Sequence, residues 1–417
     1  MKPLGPVPPG YDSIGGELAI GGQRASALVE QAGGTPLFVY SADLVRQRVA
    51  DLRAAMPQRL RIHYAVKANP YAPLLRLLAD LVDGFDIASQ GELRMALDAG
   101  QQPGRISFAG PGKRDKELRA AIAAGVTLNL ESAGEARRAL AIAQAEGARP
   151  RLAIRVNPDF ELRGSGMKMG GGAKPFGVDA DQVPALAREI IAAGAEWRGL
   201  HIFAGSQALD ATAIIETQAN VLQLAARLTY EIGSALPHLN MGGGFGIPYF
   251  HGDGPVDIDA IGAALSELFA DIPLALQGTE FAIELGRYLV GEAGVYLTRI
   301  VDRKTSHGRT YLVTDGGLHH QLAASGNFGA VVRRNYPLAI ASRFAAEPEE
   351  EASVVGCLCT PLDRLADEAQ LPRAEIGDLV AVFCAGAYGA SASPAGFLGH
   401  GPAPEILVQD AGLHVSH

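Results

Sequence analysis

From about residue 36 the chain alternates short runs rich in β-branched residues with longer stretches of helical periodicity, the pattern of repeated βα units and a parallel sheet. The runs "RIHYAVKAN" (61–69), "GFDIAS" (84–89), "RISFAG" (105–110) and "TLNLES" (127–132) are followed by "RLAIRVN" (151–157), "GLHIFAG" (199–205), "HLNMGGG" (238–244) and "FAIELGR" (281–287). Segments such as "QGELRMALDAG", "KELRAAIAAG" and "VPALAREIIAAG" lie between them, each ending at a glycine suited to a helix C-terminus. Eight such strands predict a (β/α)8 barrel over 36–284. After Arg287 the pieces "VGEAGVYLTRIVDRK", "RTYLVTDGG", "DLVAVFCAG" and "EILVQD" are β-rich without intervening helices, and predict a β-domain. This second domain is assigned 285–417 together with 1–35, whose Gly- and Pro-rich sequence reads either as its start or as an arm. The acidic "EPEEE" at 347–351 reads as a solvated loop.

Composition changes little in this picture. The 417 residues, 48% hydrophobic and 19% charged, suit a globular chain of two domains. A net charge of -9 points to neither a nucleic-acid nor an anionic-membrane partner. The N-terminus lacks the apolar core of a signal peptide and no run is long enough to span a membrane, so a cytoplasmic location is expected. Cys357, Cys359 and Cys384 form neither a disulfide framework nor a CxxC pattern, which leaves a reactive thiol as the interesting reading.

Candidate chemistry collects at the strand ends, where barrels of this kind place their active sites. In the first run Ile62, Tyr64 and Val66 face one way and His63, Ala65 and Lys67 the other, which leaves a lysine near a strand end. Asp86 and Ser89 close the second strand, Glu131 and Ser132 the fourth, and Arg155 and Asn157 the fifth. His201 and Ser206 accompany the sixth, glycines end the seventh, and Glu284 and Arg287 end the eighth. So many charges at the mouth of an apolar barrel require mutual neutralisation or a ligand. "NMGGGFGIPY" (240–249) offers backbone amides to an anion, and Pro248 argues against a dinucleotide-binding loop. A lysine nucleophile, an anion cradle and a carboxylate together suit pyridoxal 5'-phosphate (PLP): Lys67 for a Schiff base, the glycines for the phosphate, Glu284 for the pyridine nitrogen.

With these residues in place, the chain resembles the fold-type III PLP decarboxylases, the group of diaminopimelate, ornithine and arginine decarboxylases. The resemblance rests on "YAVKAN", "GFDIASQGEL", "RVNP" (155–158) with "FGV" (176–178), "GLHIFAGSQ" (199–207), "GGGFG" (242–246), "ELGRYLVGEAG" (284–294), "CTPLD" (359–363) and "GAYG" (386–389). It implies an alanine racemase-like fold and Lys67 as the PLP-bearing residue. Asp86, His201, Phe203, Ser206, Gly243, Gly244, Gly246, Glu284, Gly286, Arg287 and Tyr388 become cofactor-binding candidates. Cys359 resembles the family cysteine that crosses from the other subunit as the acid, which implies a homodimer with shared sites. An unperturbed thiol, with a pKa of about 8.5, is mostly protonated at neutral pH and suited to donate.

Departures from the family pattern bear on the substrate. Phe203 stands where the family carries a histidine that stacks on the cofactor ring; a phenyl ring stacks but exchanges no proton. "ELGR" replaces the usual "EPGR". An ungapped alignment puts Ala323 and Asn327 where diaminopimelate decarboxylases carry an arginine and a tyrosine, and Thr360 where they carry a glutamate. With Arg287 and Asp363, these are the candidate substrate residues. The replacements remove partners for a charged distal end, which argues against free diaminopimelate. "TDGGLHHQLAASGNFG" and "GASASPAGFLGH" resemble the branch associated with exosortase and exopolysaccharide gene clusters. The expected activity is α-decarboxylation of a small amino acid or an aminoacyl group tethered to a carrier protein. Alternatives are diaminopimelate decarboxylase, a PLP racemase, a phosphate-binding barrel enzyme without PLP, and a catalytically silent PLP-binding regulator. No metal site is expected: His319 and His320 lack a third ligand at matching spacing and read as a loop or substrate-pocket pair. His63 reads as a packed, hydrogen-bonded histidine, and Trp197 as packing at the N-terminal side of the barrel.

Overall fold

The computed structural model describes residues 2–164, 166–326 and 333–409, which form two compact units. One comprises Val49–Gly246 and Pro255–Gly286, the other Met1–Arg48, Ile247–Gly254 and Arg287–His417. The division therefore falls after Arg48 rather than at residue 36. "LFVYS" has the local look of a first barrel strand, but Leu37–Ser41 pairs antiparallel with the start of Gly294–Ser306 and parallel with Glu405–Val408. Those partners are remote in sequence and leave no local signal.

The first unit is a closed parallel barrel of eight strands: β1 (Leu60–Ala65), β2 (Gly84–Ile87), β3 (Ile106–Phe108), β4 (Thr127–Leu130), β5 (Arg151–Asn157), β6 (Glu196–Ile202), β7 (His238–Gly243) and β8 (Glu280–Leu285). Each pairs with the next, and β8 pairs with β1 to close the ring. Two strand–helix junctions repeat one device. Ser89 caps helix Gln90–Asp98 by accepting from Glu92 N–H at 3.1 Å, and Ser132 caps Ala133–Ala145 by accepting from Glu135 N–H at 3.1 Å. Such a cap contributes about 1 kcal/mol and stops the strand at a defined residue. In β6 the register slips between Trp197 and Gly199; Gly199 adopts φ +100°, and a Cβ there would lie 1.9 Å from the His238 carbonyl oxygen. Only glycine permits that approach.

The barrel interior departs from the branched apolar filling usual in this fold. Inward-facing His63, Asp86, Ser107, Asn129, Arg155 and His201 are all buried, as are Asn240 and Glu284. They are sustained by pairing. His63 lies 3.3 Å from Asp86, which also accepts from the Ser107 hydroxyl, and Asn129 donates to Ser107 at 3.1 Å.

The second unit holds a large mixed sheet built around the long strand Gly294–Ser306, whose neighbours include Arg309–Thr314 and Leu379–Val382. Its core draws on both ends of the chain: Leu18, Leu28, Leu37 and Val39 pack with Val295 and Phe383 in one buried cluster. Each such side chain contributes roughly 1.5–3 kcal/mol of burial, which makes the N-terminal residues part of this unit rather than an arm. Among the described residues no helix is long and apolar enough to cross a membrane.

Candidate active site

Strand β1 ends at Ala65, and Lys67 sits in the 3-10 turn Val66–Ala68 beyond it rather than on the strand. Pro70 and Asn69 explain the early stop. The Asn69 side chain accepts from Tyr71 N–H at 3.0 Å, and the Tyr64 hydroxyl donates to the Asn69 carbonyl at 2.9 Å. Val66 and Ala68 are buried while Lys67 is exposed, so the turn is anchored on both sides of the amine. Gly286 packs beneath it, where a Cβ would lie 2.8 Å from the Ala68 methyl. The Lys67 Nζ stands 5.8 Å from the centre of the half-buried Phe203 ring.

Glu284, near the end of β8, is the anionic centre of the barrel. Its Oε2 lies 2.8 Å from His201 Nε2 and accepts from Asn240 Nδ2 at 3.2 Å. Burial alone would raise the pKa of this carboxyl. His201, Lys67 and Arg155 outweigh burial and hold it well below the ordinary carboxylate range. The backbone registers that bring the three residues together are His201 with Asn240 and Gly243 with Glu284.

A second buried cluster fixes the rim. Arg155 pairs with Glu131 at 2.9 Å, and the same carboxylate accepts from Gly110 N–H at 2.6 Å and Gly177 N–H at 2.8 Å. Burial opposes ionisation of Glu131, yet Arg155 and the two amides bring its pKa below the usual value. Gly177 has φ +76°, and a Cβ there would meet the backbone of Asn157 at 2.8 Å. The "FGV" segment is thereby tied to the end of β5.

The glycines at the end of β7 and just beyond it lie close against neighbouring backbone. A Cβ on Gly243 would lie 2.0 Å from the Glu284 carbonyl oxygen, on Gly244 2.4 Å from that of Gly205, and on Gly246 2.9 Å from that of Ala208. Gly244 accepts from Ala208 N–H at 2.9 Å and Gly246 donates to the Ala208 carbonyl at 2.8 Å, so this turn is sewn to the segment bearing half-buried Ser206. Asp86 lies inside the barrel, 3.3 Å from His63 and accepting from the Ser107 hydroxyl.

In the second unit Arg287 donates to the Tyr249 hydroxyl at 2.6 Å, and its guanidinium lies 4.9 Å from the centre of the Tyr388 ring. Burial pushes the Tyr249 phenol up to about 12 against the opposing Arg287 charge, so it accepts as a neutral group. Tyr388 adopts the left-handed φ of 57°, an unusual conformation for a non-glycine residue. Tyr249 closes the glycine-rich segment 240–249, where no periodicity in the sequence distinguishes it. Cys359 is exposed and Thr360 half-buried, in a tight turn where Thr360 N–H donates to the Leu358 carbonyl at 2.8 Å. Asp363 is 2% exposed, with its two oxygens accepting from Leu318 and Leu358 N–H groups at 2.7 and 2.8 Å, so it clamps two loops. Ala323 is half-buried in the 3-10 turn Leu322–Ser325, and Asn327 lies outside the described residues.

In the barrel unit, an accessible amine, an aromatic face and a buried carboxylate held as an anion fit a planar heteroaromatic aldehyde with a protonated ring nitrogen. The buried charge of Glu284 is the observation that decides the fit, because it gains most from a cationic partner. Lys67, Phe203 and Glu284 are the residues that would hold such a group.

Comparison with known proteins agrees. Residues 42–291 match the family described as pyridoxal-dependent decarboxylase, pyridoxal binding domain. The chain is 34% identical over 379 residues to the L-glutamyl-[BtrI acyl-carrier protein] decarboxylase of Niallia circulans, covering 89% of this chain and 88% of that one. It is 33% identical to the diaminopimelate decarboxylase of Methanothermobacter thermautotrophicus, covering 96% and 92%. The crystal structure of Helicobacter pylori diaminopimelate decarboxylase complexed with L-lysine superposes with a TM-score of 0.80 at 28% identity, covering 92% and 94%.

Proposed function

Because the chain belongs to the pyridoxal-dependent decarboxylases, an enzyme family whose cofactor is PLP, we propose that it removes the α-carboxylate of an aminoacyl group tethered to a carrier protein, or of a small amino acid, rather than of free diaminopimelate. The observation that carries this reading is the uncharged pair Ala323 and Thr360 at positions where a charged distal group would need partners. The relative named for a carrier-bound glutamyl substrate supports it, as does the resemblance of "TDGGLHHQLAASGNFG" to the exosortase-associated branch.

PLP, when bound, supplies an electron sink for the pair left behind as carbon dioxide departs. Lys67 would hold PLP covalently, its turn anchored by Asn69, Tyr64 and Gly286. Glu284 would keep positive charge at the ring nitrogen, and His201 and Asn240 keep its carboxylate ionised and oriented. Phe203 offers an aromatic face and no titratable group. Arg287 and Tyr388, carried over by motif, serve the anionic groups. Cys359 gives its thiol proton to the α-carbon, from the partner subunit of a homodimer.

The test is a comparison of kcat/KM for aminoacyl carrier proteins, free small amino acids and free meso-diaminopimelate. Preference for an aminoacyl carrier protein or a small amino acid is expected; brisk turnover of free diaminopimelate would establish the competing reading, which rests on the relative sharing 33% identity.

A further inference from the structure

The sequence pairs His319 with His320 and offers no third ligand nearby, but the fold of the second unit supplies two. His319, Cys357 and His400 bring one donor atom each to within 4.8 Å of one another. Cys357 Sγ lies 3.8 Å from His400 Nε2, and the His319 and His400 ring centres are 4.7 Å apart. His319 is fully buried, and among the described residues neither of its ring nitrogens has a hydrogen-bond partner. Leaving a buried polar group unsatisfied costs about 1–3 kcal/mol per group, so this imidazole lacks the partner its position calls for.

From this cluster we infer that His319, Cys357 and His400 form a binding site for a divalent transition-metal ion of the zinc class. Two imidazoles and a thiolate are a borderline-soft donor set matched to such an ion.

The segments bearing the ligands are tied together before any ion arrives. Asp363 accepts from the N–H groups of Leu318 and Leu358, the residues adjoining His319 and Cys357. His320 links its Nε2 to the Gly401 carbonyl at 3.0 Å, beside His400, and its Nδ1 to the Tyr296 hydroxyl at 3.1 Å. Such outer partners fix ligand loops as they do in known metal sites. Tetrahedral bonds to zinc would bring the donors to roughly 3.3–3.6 Å separation, a closure of at most about 1.5 Å from the 4.8 Å within which they lie. Binding forms a metal–sulfur bond and releases the Cys357 thiol proton to solvent. Three protein ligands would leave a fourth tetrahedral position to solvent.

The experiment is zinc uptake by chelator-treated, PLP-loaded protein, measured by equilibrium dialysis with metal analysis and by the visible d–d absorption of cobalt(II) as a substitute ion. The expected result is one ion per chain. Uptake is lost in Cys357→Ser, weakened by at least about tenfold in His400→Ala, and unchanged in Cys359→Ser. Because His400 is exposed, its replacement leaves the fold intact, as circular dichroism would confirm. Absence of uptake by the unmodified protein, undiminished uptake in either ligand variant, or loss in Cys359→Ser would each overturn the assignment.

Discussion

The Glu284 carboxylate lies 2.8 Å from His201 Nε2 in the barrel interior, and this contact, with Asn240, keeps a nearly fully buried acid ionised. Replacing Glu284 with Gln removes the charge while keeping the shape. The expected loss in kcat is roughly 10²–10³-fold, the size measured for one preorganised electrostatic group. Steady-state decarboxylation by the purified variant checks this, and activity within a few fold of wild type would contradict it.

The Arg155–Glu131 pair serves the framework. With side chains 9% and 2% exposed, loss of one partner strands a buried charge. Glu131→Gln is expected to destabilise the protein by about 3–5 kcal/mol, read as a shift in urea-unfolding midpoint. An unchanged midpoint would remove this pair from the account.

How much of this was legible beforehand follows from range. The eight barrel strands announce themselves through local β-branched runs, and Lys67 through its motif. The pairing of Leu37–Ser41 with the strand starting at Gly294 depends on residues far apart in the chain, as does the meeting of His319 with Cys357 and His400. The sequence shows polar residues at the strand ends; it does not show that Asp86 turns inward to His63, or that Asp363 spends both oxygens on backbone amides.

A pH dependence follows from His238 at the start of β7. Burial, with His63, Arg198 and His201 nearby, pushes its pKa from 6.5 to about 3. Because the folded state resists the proton that the unfolded chain accepts, this contribution is complete above pH 6.5 and is lost as pH falls toward 3, by up to about 1.4 kcal/mol per unit. His238→Gln should flatten the acid limb of a stability-versus-pH curve, and an unaltered slope would contradict the assignment.

If Cys359 acts in the site of the partner subunit, Lys67→Ala and Cys359→Ala homodimers are each inactive, while mixed dimers recover part of the wild-type rate through one complete site. Co-refolding the two variants and assaying carbon dioxide release distinguishes this from a cysteine acting within its own chain, for which no mixture regains activity.

The covalent role of Lys67 is tested most directly by borohydride reduction of the PLP-loaded protein, followed by peptide mass analysis. A pyridoxyl phosphate adduct on the peptide containing Lys67, absent in Lys67→Ala together with carbon dioxide release, is the result expected. An adduct on another lysine, or decarboxylation that survives Lys67→Ala, would contradict it.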